Sequence, residues 1–191
     1  MATPRVLVFA GSARRESLNK KLSQLAARQA EKAGLSVTWI DLRDYPLPLY
    51  DGDLEAEQGI PDNARKLRDL FLAHQGLIVA SPEYNSFITP LLKNTLDWIS
   101  RRDGTIDGLT AFRNKVGLVL SASPGAFGGM RSLALIRQLL GHLGVTVLPE
   151  QLALPRAHEA FADDGALKDV QMLQRLDDMV QRLALVLRSW P

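Results

Sequence analysis

Val6-Leu7-Val8-Phe9-Ala10-Gly11-Ser12-Ala13-Arg14-Arg15-Glu16-Ser17-Leu18-Asn19 runs a strand signal straight into a helix signal. Val6 to Ala10 is an unbroken apolar run, the pattern of a strand buried on both faces of a parallel sheet. Beyond the turn, Leu18, Leu22, Leu25 and Ala26 recur at helical spacing. A strand that ends in Gly-Ser and turns into a helix offers unpaired backbone N–H groups and the positive end of the helix dipole, and both attract a phosphate dianion. Ser12, Ser17 and Asn19 supply further donors, and the planar guanidinium of Arg14 suits a terminal phosphate monoester. The loop has one glycine where a dinucleotide fingerprint needs three, and it lacks the Gly-Lys-Ser/Thr that holds a nucleotide's phosphates and magnesium. A plainer account fits the same residues: Ser17 only caps the helix and the arginines are solvated. The loop alone does not choose between the two.

Around this stretch, 191 residues with 46% hydrophobic and 23% charged content fit one globular domain, 1–191. No apolar run reaches membrane-spanning length and the N-terminus lacks the pattern of a signal peptide, so a soluble cytoplasmic protein without a membrane partner is expected. Zero cysteines exclude disulfides, thiolate nucleophiles and Cys-ligated metal centres. The net charge of +2 is mild, and the basic residues are scattered among acids rather than clustered as nucleic-acid binding requires.

Strand and helix signals alternate along the chain, which points to a parallel α/β sheet. The first helix is expected from about Leu18 to Ala33, stopping at Gly34, and the second strand over Leu35–Ile40 at an edge. Asp41 to Pro61 reads as a long irregular connection around Leu47-Pro48-Leu49-Tyr50-Asp51, of a length that usually marks function or an interface. Asp62 then caps a helix ending near His74, which compensates its dipole, and the third strand is Leu77–Ala80. Thr89 as N-cap with Pro90 at the first helical position starts a helix reaching about Ser100. On it Lys93 and Asp97 can pair, and Trp98 belongs to core or interface. Lys115–Ser121, Met130–Leu143 and Val145–Leu148 read as strand, helix and strand. Leu152 to Asp164 reads as irregular with His158 solvated, and a last helix carries Leu173, Leu176, Val180, Leu183 and Leu187 against the sheet.

Ligands of open parallel sheets bind beyond the carboxyl ends of the strands, and two more loops fall there. Ser81-Pro82-Glu83-Tyr84-Asn85 follows the third strand, with a stiffening proline, a flat tyrosine ring and an amide able to pair with the edge of a heterocycle. Ser121-Ala122-Ser123-Pro124-Gly125-Ala126-Phe127-Gly128-Gly129 comes at the end of the fourth, with glycines that let backbone approach a ligand closely.

Gly11-Ser12-x-Arg14-x-x-Ser17-x-Asn19, then Pro82-Glu83-Tyr84-Asn85, then Lys93-Asn94-x-x-Asp97-Trp98, then Ser123 with Gly128-Gly129 together resemble the NADPH-dependent FMN reductase family, which includes chromate/quinone reductases and small azoreductases. The resemblance implies a flavodoxin-like three-layer sandwich, with a five-stranded parallel sheet of order 2-1-3-4-5. It implies FMN held at its phosphate by Ser12, Arg14, Ser17, Leu18 and Asn19, with Pro82, Glu83, Tyr84 and Asn85 beside the ring and Ser123 and Gly125 near the ring or ribityl chain. It further implies NADPH or NADH as co-substrate, a small-molecule electron acceptor, ping-pong turnover without a catalytic side chain, and a dimer or tetramer whose boundary takes in Leu47–Asp51 and the helix bearing Asp97. The alternatives are a flavodoxin-type electron carrier without its own NAD(P)H step, disfavoured by the basic isoelectric point and by the absence of a Thr/Ser-x-Thr-Gly core, and a scaffold that binds no flavin.

Overall fold

The computed structural model describes residues 3–190. In chain order the elements are β1 (Arg5–Ala10), α1 (Leu18–Lys32), β2 (Ser36–Ile40), α2 (Gly52–Gln58), α3 (Asp62–Ala73), β3 (Gly76–Ala80), β4 (Glu83–Tyr84), β5 (Phe87–Ile88) and α4 (Pro90–Ile99). They continue with β6 (Lys115–Ala122), α5 (Met130–Leu143), β7 (Val145–Leu154) and α6 (Val170–Arg188). The main sheet has the order β2-β1-β3-β6-β7, and all four pairings are parallel. Counting only its own strands, that is the expected 2-1-3-4-5, flavodoxin-like.

Side-chain alternation along each strand divides the core between the two faces. Val6 and Val8 point to the layer of α1 and α6, with Leu22, Ala26, Leu176, Val180 and Leu183 buried there. Leu7 and Phe9 point to the layer of α3, α4 and α5, against Leu67, Phe71, Leu92, Leu96 and Ile136. β3 and β6 are buried along their whole length, which is why Leu77–Ala80 and Val116–Leu120 read as apolar runs. The strand order reverses between β1 and β3, and the crevice at that reversal is where an open α/β sheet takes its ligand.

Several expectations need correction. The connection after β2 is not wholly irregular: it contains a 3₁₀ turn at Leu42–Asp44 and α2, whose N-terminus Asp51 caps through its side chain on the Asp53 N–H. No α2 residue is buried, so the helix carries no apolar stripe to betray it. Asp62 is the first residue of α3 rather than its cap; Pro61 holds the cap position and makes no side-chain bond. β4 and β5 form an unforeseen antiparallel hairpin, with Asn85 and Ser86 at φ 50° and 63° as its turn, the double left-handed conformation of a type I′ turn.

β7 runs through Pro149 to Leu154, well past Leu148. Its register with β6 jumps from Gly117↔Val147 to Val119↔Gln151, so Leu148 to Glu150 bulge opposite one residue. The last strand of the sheet tolerates a proline there because a bulge at an edge needs no ladder donor.

Thr89 and Pro90 start α4 as expected, and Lys93 Nζ lies 2.7 Å from the Asp97 carboxylate. Trp98 is fully buried and donates its Nε1–H to the Pro48 carbonyl at 2.8 Å. Asn94 donates to the same carbonyl and accepts from the Tyr50 N–H, so the loop at Leu47–Asp51 is fastened to α4.

Candidate functional site

The turn out of β1 and the first turn of α1 form one wall of a cleft at the carboxyl edge of the sheet. Ser17 is the N-cap, its Oγ accepting from the Lys20 N–H at 3.4 Å, which leaves the hydroxyl proton free to donate elsewhere. The N–H groups of Leu18 and Asn19 have no intrahelical acceptor by the geometry of a helix start. The first turn contains no carboxylate that would repel an anion. Ser12 is buried and its Oγ accepts from the Arg14 N–H at 3.4 Å. The Arg14 guanidinium donates to the Glu16 carbonyl at 2.8 Å and otherwise faces outward.

Ser12, Arg14, Ser17, Leu18 and Asn19 line the cleft together with Pro82, Glu83 and Tyr84 from the second loop and Ser123 from the third. Nine residues read from sequence therefore meet in one place, although the loops are scattered along the chain. Two do not line it. Asn85 sits at the tip of the hairpin as a turn residue, and Gly125 lies farther along the third loop, its N–H on Ser123 Oγ at 3.1 Å and its carbonyl accepting from the Arg156 N–H. Ala122 and Pro124 complete the lining. Both belong to the third loop read from sequence but carry no donor of their own to single them out, since an alanine and a proline present only backbone and a flat apolar surface.

Side chains join the three loops to one another. Thr89 Oγ1 donates to the Gly11 carbonyl at 2.8 Å while accepting from the Leu92 N–H, tying the second loop to the first. Glu83 Oε2 accepts from the Ser132 N–H at 3.1 Å, tying the second loop to α5. Gly129, at the N-cap of α5, has no side chain for that task. Asn19 spans the first and third loops: its Nδ2 donates to the Ala122 carbonyl at 2.8 Å and its Oδ1 accepts from the Ala122 N–H at 2.9 Å. Its carbonyl and one of its two amide hydrogens are thus engaged within the protein, which leaves its backbone N–H and the second amide hydrogen for a ligand. Gly128 and Gly129 hold φ of 62° and 85°, and a β-carbon on Gly129 would fall 1.9 Å from Ser121 Oγ. Only glycine lets the third loop fold back onto the sheet here.

The cleft has a volume of about 140 Å³. Pockets that enclose a drug-sized ligand measure roughly 300–1,000 Å³, so this one has room for a phosphoryl group and a short chain while a tricyclic ring would rest on the open shelf beside it. Tyr84 in the lining and Phe87, its partner in the hairpin, are each about half exposed beside it. Backbone N–H groups, two serine hydroxyls and one guanidinium at the closed end, with aromatic surface at the open end, fit the phosphate and ring of FMN.

Comparison with known proteins agrees with that chemistry. The family model for NADPH-dependent FMN reductase matches residues 4–159. A probable NADPH:quinone oxidoreductase of Oryza sativa subsp. japonica is 33% identical over 98% of this chain and 92% of its own length. A quinone reductase of Pseudomonas putida is 34% identical over 86% of this chain and 84% of its own. Among solved structures, FerB of Paracoccus denitrificans, a flavoenzyme NAD(P)H:(acceptor) oxidoreductase, superposes with a TM-score of 0.80 at 27% identity, covering 98% of this chain and 99% of that one. With most of its length matched and its loops converging where the ligand of such a sheet binds, the chain belongs to the NADPH-dependent FMN reductase family.

Proposed function

We propose that this chain is an FMN-dependent NAD(P)H oxidoreductase that reduces small-molecule acceptors, namely quinones, azo compounds, metal oxyanions or free flavins, by alternating between donor and acceptor. The observation that carries it is the meeting of a helix N-terminus, two serines and Arg14 with Pro82, Glu83, Tyr84 and Ser123 in one cleft open on its ring side. FMN, when bound, would supply the redox chemistry, acceptance of a hydride from a nicotinamide and its delivery, as a hydride equivalent with a solvent proton, to an acceptor. The protein's own work is positional. Ser12, Ser17, Arg14 and the N–H groups of Leu18 and Asn19 hold the phosphate. Pro82 to Asn85 and the stretch from Ser123 to Gly125 frame the ring and leave one face open, which donor and acceptor use in turn. No side chain is needed as an acid, base or nucleophile.

We read the assembly as a dimer or tetramer, consistent with exposed Leu49 on the loop fastened to α4 and with the apolar surface around the shelf. Light scattering at micromolar concentration tests that; a monomeric mass would remove it. For the activity, purified protein should carry flavin absorbance or acquire it with FMN, and should oxidise NADPH or NADH with benzoquinone along parallel double-reciprocal lines. A protein that takes up no FMN, or that passes electrons only after chemical reduction, would overturn the assignment.

A further inference from the structure

The Asn19 carboxamide sits where a strand is missing. β3 pairs with β6 as far as Ala80↔Leu120, and the Ser81 N–H still reaches the Leu120 carbonyl. The chain then leaves the sheet through Pro82, which has no N–H to offer. β6 continues two residues beyond Leu120, so the N–H and C=O of Ala122 on that side lose their ladder partner. Asn19, 2% exposed and 103 residues away in sequence, takes both with an amide group of the same shape as a peptide bond. The pairing also fixes the orientation of the amide, because a reversed one would set donor against donor and acceptor against acceptor.

Resting on the assignment of the cleft to FMN, we propose that Asn19 is a positioning residue that sets the spacing between the phosphate end and the ring end of the site, rather than a phosphate ligand through its side chain. Asn19 is the second residue of α1, two positions after the Ser17 cap. Its partner Ala122 leads straight into Ser123 and Pro124, which line the cleft. Loop one and loop three are therefore held in register before any ligand arrives, and a ligand touching both loops need not order them.

Phosphate contact and loop spacing make different demands, and the pair FMN and riboflavin separates them. A residue that binds phosphate matters to FMN alone; a residue that sets the ring frame matters equally to riboflavin, which has the ring and no phosphate. Affinities of the apoprotein for both flavins, from quenching of flavin fluorescence, should fall by the same factor in Asn19→Ala, about tenfold for two lost hydrogen bonds. Arg14→Ala should weaken FMN and leave riboflavin unchanged. Asn19→Ser adds no charge beside the phosphate and keeps only a short hydroxyl in place of the two-point amide pairing with Ala122; it should show an equal loss for both flavins, which covers the case of an alanine variant that fails to fold. A loss confined to FMN would make Asn19 a phosphate ligand, and unchanged affinity for both flavins would reduce it to a structural brace; either result overturns the proposal. Wild-type protein that binds neither flavin is a separate result, and it would remove the function assignment itself.

Discussion

Arg14 is the single cation among the side chains lining the cleft, so its removal has a specific expected result. A charge-assisted hydrogen bond contributes about 1.5–3 kcal/mol, so Arg14→Ala should weaken FMN binding roughly 10- to 150-fold while leaving the melting temperature of the exposed loop's host unchanged; calorimetric titration with FMN reads it. Gly129 is the opposite case, invisible to ligand and strict for the fold. With φ at 85° and a would-be β-carbon 1.9 Å from Ser121 Oγ, Gly129→Ala should cost about 2–4 kcal/mol in urea unfolding, and a loss under about 0.5 kcal/mol would show that the third loop relaxes freely. At this scale the sequence is readable where chemistry and spacing are local. Ser12, Arg14 and Ser17 lie within six residues and offer donors suited to an anion, although the loop alone fits a capped helix with solvated arginines equally well. Asn19 is ambiguous for the complementary reason: its partner is 103 residues away, and no local pattern says that Ala122 would lack a strand beside it.

Glu83 links two elements, and its role explains why a glutamate stands in that loop. The N-cap of α5 is a glycine without a capping side chain, and the Glu83 carboxylate reaches across to the Ser132 N–H while Arg131 Nη1 lies 3.4 Å from its other oxygen. Loss of a capping acceptor costs about 1 kcal/mol. Glu83→Ala should therefore lower stability by about that amount and speed amide exchange in the first turn of α5, whereas Glu83→Gln, which keeps an acceptor, should recover most of the loss; equal behaviour of the two variants would discard the cap. The central elements were legible because burial writes itself into sequence: Val6–Ala10, Leu77–Ala80 and Val116–Leu120 are apolar runs within β1, β3 and β6, and α5 ends where Gly144 takes φ 103°. The missed elements are those in which burial has little part. α2 buries nothing, the hairpin strands are two residues each with Asn-Ser instead of Asn-Gly at the turn, and β7 passes through a proline that only a bulge at the sheet edge can accommodate.

At the scale of the whole molecule, the end of the sheet remote from the cleft carries a buried titratable group, Lys115, that makes stability depend on pH. Lys115 opens β6 at the amino edge, 5% exposed, with its ammonium on the His74 carbonyl and no carboxylate partner among the described residues; burial pulls its pKa down to about 8. His74 is also held below its usual value, chiefly by burial, with Nδ1 2.6 Å from the Leu70 carbonyl and Nε2 2.8 Å from Thr38 Oγ1. It therefore closes the end of α3 as a neutral hydrogen-bonding ring rather than as the cation expected from its position. For a depressed pKa the sign is fixed: between about 8 in the folded chain and the ordinary 10.5, the unfolded chain keeps a proton that the folded chain has released. Stability then rises with pH through that window. A shift of this size corresponds to something on the order of 3 kcal/mol across the window. Lys115→Met removes the titration while keeping the length of the stem, so the stability of wild type minus variant, from urea unfolding at fixed ionic strength, should be flat below pH 8 and climb steadily towards pH 10.5. Taking the difference cancels tyrosines and exposed lysines that titrate in the same range, and the carbonyl left unpaired at His74 adds only a constant offset. A difference that stays level through the window would mean that Lys115 reaches water in the folded protein and that the amino edge of the sheet is open.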